Sequence, residues 1–194
     1  MDQPLHAIDA LTGRLEQCYE KYVAISALRH YFPELFSDYA GKSGQMPIRP
    51  GIDPPKCLRH FGTTWMLVSE SGDAFVMDIG SSGIFQQLKK RLADGEIKSV
   101  EGLWVTHYHF DHTAGIPDFQ QEFDVPCYAN EQLAEVLTHP TAWRLPCLDP
   151  RPITVHKPMR DGQSWQWREF KLTAFFLPGQ TLYHGGLLVE AGNL

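Results

Sequence analysis

The spacing of apolar residues changes along the chain, and each spacing predicts a different kind of structure. Residues 4–30 carry apolar side chains three and four positions apart, which predicts an amphipathic helix within an N-terminal helical segment, residues 1–40. Residues 41–56 are rich in glycine and proline, which predicts a linker without regular structure. From residue 57 to residue 194, short apolar runs alternate with turn residues, which predicts a separate domain of strands and short helices.

The first part of this domain predicts a hairpin followed by a strand–helix–strand unit. Residues 65–68 and 74–77 are apolar and flank Ser71-Gly72-Asp73, a pattern typical of a β-hairpin. Residues 84–92 have the period of a short helix. Residues 100–106 then predict a buried strand.

The later part of the domain repeats both patterns. Residues 116–123 predict a helix, residues 125–129 a strand, and Asn130 the side-chain cap of a further helix that runs to Leu137. Four more segments are strand-like: residues 153–156, 165–167, 170–177 and 183–190. Hairpins mixed with strand–helix–strand units favour two packed sheets with helices outside over a doubly wound sheet.

Composition and charge narrow the classes of function. The net charge is −6 over 194 residues, and no basic stripe of the kind that nucleic-acid binding requires is visible. No apolar run approaches the roughly 20 residues of a membrane span, and no secretion signal is visible. The four cysteines are scattered, which argues against a cysteine-based zinc site. We therefore expect a cytoplasmic protein with reduced thiols and with neither nucleic-acid nor membrane partners.

The strongest chemical signal is the run His107-Tyr108-His109-Phe110-Asp111-His112, directly after the predicted strand. Imidazole and carboxylate are ligands that zinc prefers, and iron and manganese are alternatives. In an extended segment, residues two apart point the same way, so His107 and His109 can converge on one ion. Asp111 and His112 lie a turn further along and can hold a second ion. The run therefore predicts a two-metal centre.

This run resembles the signature of the metallo-β-lactamase-fold hydrolase superfamily. The resemblance includes Asp78-Ile79-Gly80 before the run, residues 113–116 after it and the Pro178-Gly179-x-Thr181 turn, and it extends over residues 57–194. It implies the α/β (α+β) class and an αββα sandwich with a dinuclear site at one edge of the sheets. It also implies metal ligation by His107, His109, Asp111 and His112, with Asp111 taking part in catalysis. Asp78 would orient the metal-binding loop by hydrogen bonding.

Two departures from the family pattern leave questions open. Gln180 stands where the family has a histidine ligand, and His184 follows four residues later. Either His184 or Gln180 could complete the first metal site, or the position could be open. The family's bridging aspartate and last histidine would lie beyond Leu194, so we expect a C-terminally incomplete domain from a longer protein.

The resemblance implies a metal-dependent hydrolase that uses a zinc-activated hydroxide on an ester, thioester, amide or phosphoester of a small-molecule substrate. The alternative is a degenerate metal-binding module or a diiron redox member of the same fold. A nuclease of this superfamily is disfavoured by the acidic balance. The loop that carries Trp143 and Arg144 is expected to form part of the cleft wall.

Overall fold

The computed structural model describes residues 55–191. The predicted N-terminal helical segment and all but the last two residues of the predicted linker lie outside the described residues. Their assignment as a helical segment and a linker stays a prediction.

The larger of two sheets has six strands in the order β1-β2-β3-β4-β5-β6. Its first three strands pair antiparallel, and the pairs β3–β4, β4–β5 and β5–β6 are parallel. The strands are β1 (Leu58–Phe61), β2 (Thr64–Val68), β3 (Asp73–Met77), β4 (Ser99–Trp104), β5 (Cys127–Asn130) and β6 (Lys157–Met159). The predicted hairpin is β2–β3, and Gly72 in its turn has a φ of 90°, which glycine adopts without strain.

Short helices connect the parallel strands. They are α1 (Ser82–Ala93), α2 (Phe110–Thr113), α3 (Ile116–Glu122) and α4 (Glu131–Thr138), followed by a 3₁₀ turn at Pro140–Ala142. Three of them confirm the helices predicted at residues 84–92, 116–123 and after Asn130. Within residues 55–191, no helix is long and apolar enough to cross a membrane.

The smaller sheet is antiparallel and contains three strands in the order β7-β8-β9. These strands are β7 (Ser164–Trp167), β8 (Phe170–Phe176) and β9 (Gly185–Ala191). They correspond to the last three strand-like segments of the sequence. The turn between β8 and β9 carries the Pro178-Gly179-Gln180-Thr181 motif.

The two faces of the larger sheet pack against different layers. Met66 and Val76 point to one face and join a core that includes Phe85 of α1. Their strand neighbours Leu67 and Phe75 point to the other face and join residues of the smaller sheet, which follows from the two-residue period of a strand. The protein is therefore a sandwich of two sheets with helices outside, which confirms the predicted fold class; the helices of residues 55–191 provide one of the two outer layers.

Two local predictions were wrong. Residues 153–156 do not form a strand; β6 begins at Lys157 and contains Pro158, which an edge strand tolerates. Asn130 precedes α4, but its side chain makes no capping hydrogen bond to the helix. Its amide donates instead to backbone carbonyls of the smaller sheet and of the residue just before β9.

The packing of the sheets predicts unequal costs for two phenylalanines. Phe75 is fully buried between the sheets, and its ring lies 5.5 Å from the rings of Tyr128 and Trp167, centroid to centroid. Phe75→Ala should lower the free energy of unfolding by about 3–5 kcal/mol, because it leaves a cavity. Phe175→Ala is the matched control. Phe175 lies on the outer side of β8 and is 36% exposed, so its loss should lower the free energy of unfolding by under about 1 kcal/mol. Urea denaturation measures both, and equal losses would contradict this packing.

Candidate metal centre

The candidate site lies at the edge of the larger sheet where its parallel strands end. Asp78 directly follows β3, the histidine run begins three residues after β4, and Asn130 is the last residue of β5. Carboxyl ends of parallel strands meet at one edge of a sheet, which is where ligands bind in open α/β sheets. The sheet topology thus brings residues distant in sequence to one place.

The segment after β3 holds the histidine loop by its backbone. Ile79 N–H donates to His112 O at 2.9 Å, and Gly115 N–H donates to Ile79 O at 2.8 Å. Between these two hydrogen bonds, the histidine loop lies so close to Gly80 that a Cβ on this residue would be 1.8 Å from Asp111 O. Only glycine leaves room for that approach. Thr63 adds a third tie, because its hydroxyl donates to Asp111 O at 2.8 Å.

The carboxylate of Asp78 orients two histidines. Its Oδ1 accepts from the backbone N–H of Thr106 at 2.8 Å, and its Oδ2 accepts from the Thr106 hydroxyl at 2.6 Å. Oδ2 also lies 2.7 Å from His112 Nδ1. With both oxygens engaged, Asp78 fits the orienting role that the resemblance implied better than a role as a ligand. Its backbone has a φ of 62°, in the left-handed region that aspartate tolerates better than most residues.

These hydrogen bonds fix the tautomers of both rings. A carboxylate only accepts, so His112 Nδ1 carries the proton of the bond to Asp78. The Thr106 hydroxyl gives its one proton to Asp78, so it accepts from His107 Nδ1, 2.9 Å away. The lone pair of each ring is therefore on Nε2. His107 Nε2 is buried and has no hydrogen-bond partner among the described residues.

Three further imidazoles lie close to the His107 ring. The His107 ring lies 4.1 Å from that of His112, 4.7 Å from that of His109 and 4.9 Å from that of His184, centroid to centroid. The planes of His107 and His184 are 22° apart, so these two rings stack. The nearest potential donor atoms of Asp78, His107 and His112 all lie within 4.8 Å of one another, although the Asp78 oxygens are engaged by hydrogen bonds.

Burial controls the protonation of the cluster. It lowers the pKa of His107 to about 2, with further lowering by His112, His109 and His184. Burial is also the main cause that lowers the pKa of His109 and of His184. Burial lowers the pKa of His112 too, but the hydrogen bond and charge of Asp78 outweigh it and raise that pKa above its ordinary value. Three of the four rings thus favour the neutral form, which is the form that binds metals.

The five predicted ligands lie in one cluster, but they differ in exposure, and only His107 and His112 belong to the group whose donor atoms all lie within 4.8 Å of one another. Asp111 is exposed, and its Oδ2 lies 3.8 Å from His112 Nε2. His184 is half-buried against His107, whereas Gln180 is exposed on the preceding turn. The cluster fits a metal ion, because it combines an unpartnered buried imidazole nitrogen with further imidazoles and a carboxylate, the donors that zinc prefers.

The sequence did not single out Thr106, and it assigned Asn130 only to a helix cap. Thr106 links the Asp78 carboxylate to His107, and its position immediately before the run was the one available signal. Asn130 reaches the carbonyl of His184 across a separation of 54 residues, which no local pattern reveals. Trp143 and Arg144 were expected to form part of the cleft wall. Trp143 packs edge-on against Tyr183, with 5.6 Å between ring centroids, and Arg144 is exposed.

Comparison with known families agrees with this fold. Residues 58–188 match the sequence model of the metallo-beta-lactamase superfamily. The match covers more than half of the chain. The protein belongs to this superfamily.

Among individual proteins, the chain is similar to a hydroxyacylglutathione hydrolase of Hahella chejuensis, with 29% identity over 120 residues. That stretch is 62% of this chain but 38% of the relative, so the chain spans well under half of the relative's length. A shorter match, 42% identical over 43 residues, is to a hydroxyacylglutathione hydrolase of a Marinomonas species and covers 22% of this chain and 17% of that relative.

Solved structures share the fold at lower identity. The subclass B3 metallo-beta-lactamase of Bradyrhizobium japonicum superposes with a TM-score of 0.56 at 18% identity, over 67% of this chain and 51% of that one. A class B3 di-zinc metallo-beta-lactamase from an Alaskan soil metagenome gives a TM-score of 0.57 at 17% identity, over the same shares of the two chains.

The close approach at Gly80 predicts that this glycine is irreplaceable. Gly80→Ala should lower the free energy of unfolding by about 2 kcal/mol or more, because the new Cβ would overlap backbone atoms of the histidine loop. Gly83→Ala is the matched control, since its Cβ would meet only Ser81 Oγ at 3.6 Å, and it should be neutral or stabilising in α1. Thermal unfolding of both variants measures the difference. Equal stability of the two would contradict the tight contact at Gly80.

Proposed function

We propose that this protein is a metal-dependent hydrolase whose centre is formed by His107, His109, Asp111, His112 and His184. One observation carries the proposal: His107 has a buried Nε2 without a hydrogen-bond partner among the described residues, and its ring is clustered with three other imidazoles. An unpartnered polar atom in this position is costly unless a ligand occupies the space. Membership in the metallo-beta-lactamase superfamily supports the same reading.

Zinc is the metal that suits this donor set best, and we propose two ions. His107, His109 and His184 would hold the first ion, and Asp111 with His112 would hold the second. When bound, zinc lowers the pKa of a coordinated water and polarises the bond that this water attacks. Iron or manganese could bind the same donors.

The protein's own residues prepare the site before any substrate arrives. Asp78 and Thr106 hold His107 and His112 with Nε2 free, and burial keeps His107 neutral. Asp111 is exposed at the open side, so we assign its carboxylate to holding a proton that the reaction releases near His112. The half-buried Trp143 and Tyr183, which contact each other, would border the substrate.

A thioester of a small molecule is the substrate class we favour. The support is the similarity to two hydroxyacylglutathione hydrolases, whose names identify them as hydrolases of a glutathione thioester. An ester, amide or phosphoester would be attacked by the same chemistry. Cytoplasmic location also remains part of the proposal.

A nuclease is the second candidate function. A 64-residue stretch is 34% identical to an exodeoxyribonuclease of Bacillus anthracis, over 33% of this chain and 24% of that relative. The net charge of −6 disfavours binding to a polyanion. Assays on an acylglutathione thioester and on single- and double-stranded DNA, with the same zinc-loaded sample, separate the two: thioester cleavage alone supports the proposal, and DNA cleavage alone contradicts it.

Metal analysis separates hydrolysis from the redox and degenerate alternatives. Protein purified after expression in medium with both zinc and iron should retain zinc on elemental analysis. Retention of iron would favour a redox member of the fold, and retention of no metal would favour a degenerate site.

Removing two histidines of the cluster should abolish both metal binding and activity. His107→Ala with His109→Ala leaves too few imidazoles for the first ion, so zinc per chain should fall to the background level and hydrolysis with it. His60→Ala with His139→Ala is the matched control, because it also removes two histidines, both exposed, whose side chains contact Trp65 and Glu135. Stoichiometric zinc in the first double variant would overturn the proposal.

The role of His184 is separable from that of Gln180. His184→Ala should weaken zinc binding by about 10-fold or more, because it removes an imidazole that stacks on His107. Gln180→Ala should leave the affinity within about twofold, since Gln180 is exposed. Competition with a chromophoric chelator measures both constants. The reverse order of effects would assign the ligand to Gln180.

A further inference from the structure

Asn130 is a buried residue of the larger sheet whose side chain reaches toward the smaller one. It is fully buried at the end of β5, and its Nδ2 donates to Phe175 O at 3.0 Å and to His184 O at 3.4 Å. Asparagine in this position ordinarily caps the following helix through its side-chain oxygen. Here the side chain makes no bond to α4. The amide instead donates to two backbone carbonyls outside α4.

The backbone around His184 is held from several sides. Its carbonyl accepts from Leu177 N–H at 2.9 Å in addition to the Asn130 amide, and the next N–H, of Gly185, donates to Thr106 O at 2.7 Å. Residues at the ends of β4 and β5 thus both form hydrogen bonds with the first residues of β9 or the residue just before it. Thr106 is also the residue that fixes the tautomer of His107. The positions of the His107 and His184 rings are therefore set by a shared set of hydrogen bonds.

Packing at Gly185 shows how closely Asn130 meets this entry. A Cβ on Gly185 would lie 2.7 Å from Asn130 Nδ2 and 3.0 Å from Trp104 Cζ2. The amide of Asn130 therefore lies directly against the backbone of β9. Its Oδ1 is buried without a hydrogen-bond partner among the described residues, which costs stability.

We propose that Asn130 is a positioning residue for His184: its amide fixes the point at which the chain enters β9, and so holds the His184 imidazole against His107 for metal binding. The inference rests on the proposed function, since it concerns how one of the proposed ligands is placed. Asn130 does not itself touch the metal or the substrate. Its effect on the metal must therefore act through His184.

A double-mutant cycle tests this dependence. Zinc affinity is measured by chelator competition for the unmodified protein, Asn130→Ala, His184→Ala and the double variant. Asn130→Ala alone should weaken zinc binding by about 10-fold, the lower end of the effect of removing groups that orient metal ligands. In the His184→Ala background, the same change should alter the affinity by less than about twofold, because residues that act as one unit are not additive.

Controls separate positioning from a loss of stability. Val136→Ala removes packing from the same helix region at a fully buried site and should lower the unfolding temperature without changing zinc affinity. Asn130→Leu has a similar shape but no hydrogen-bonding group, so it should weaken zinc binding as Asn130→Ala does, and it replaces that variant if Asn130→Ala fails to fold. The visible absorption of cobalt-loaded Asn130→Ala should change in the same direction as that of His184→Ala.

The outcomes distinguish this inference from the proposed function. Unchanged zinc affinity in Asn130→Ala, or an equal loss in both backgrounds, would overturn the positioning role while the unmodified protein still binds zinc. Absence of zinc binding by the unmodified protein would overturn the proposed function itself. A loss confined to the background that contains His184 supports the inference.

Discussion

The hydrogen bonds of the Asp78 carboxylate are the interaction on which the site depends. This carboxylate is 3% exposed and accepts hydrogen bonds from the Thr106 backbone N–H, the Thr106 hydroxyl and His112 Nδ1. Through Thr106 it also determines which nitrogen of His107 carries a proton. Without it, both rings could rotate or change tautomer, and the buried Nε2 of His107 would lose its fixed direction. The orientation of the cluster is therefore set by Asp78 and Thr106, which are not among the proposed metal ligands.

The fold makes this arrangement achievable with short connections. β3 and β4 run parallel and are neighbours, so Asp78 and the histidine run leave the sheet side by side. Gly80 allows the two segments to come into contact. His184 comes from a different part of the chain, immediately before β9 of the smaller sheet. The crowding of neutral imidazoles has a cost in desolvation, which a bound metal ion would offset by binding only the folded state.

Much of this could be predicted from sequence because the relevant signals are local. The hairpin at Gly72, the α1 period and the His107–His112 run each depend on neighbouring residues. The orientation of Asn130 could not be predicted, because a helix-capping position and a contact with Phe175, 45 residues away, look identical in sequence. The choice between Gln180 and His184 was also open, since both lie on one turn. The structure places His184, and not Gln180, against His107, because β9 begins immediately after His184 and is anchored to Thr106.

The central claim is that the imidazole cluster is a metal site. The most direct test is anomalous X-ray scattering from crystals of the zinc-loaded protein, recorded on both sides of the zinc absorption edge. We expect an anomalous peak within bonding distance, about 2.0–2.1 Å, of His107 Nε2, with the His109 and His184 rings also directed at it. A peak located elsewhere in the protein, or a zinc-loaded crystal with no peak at His107, would show that the cluster is not the metal site.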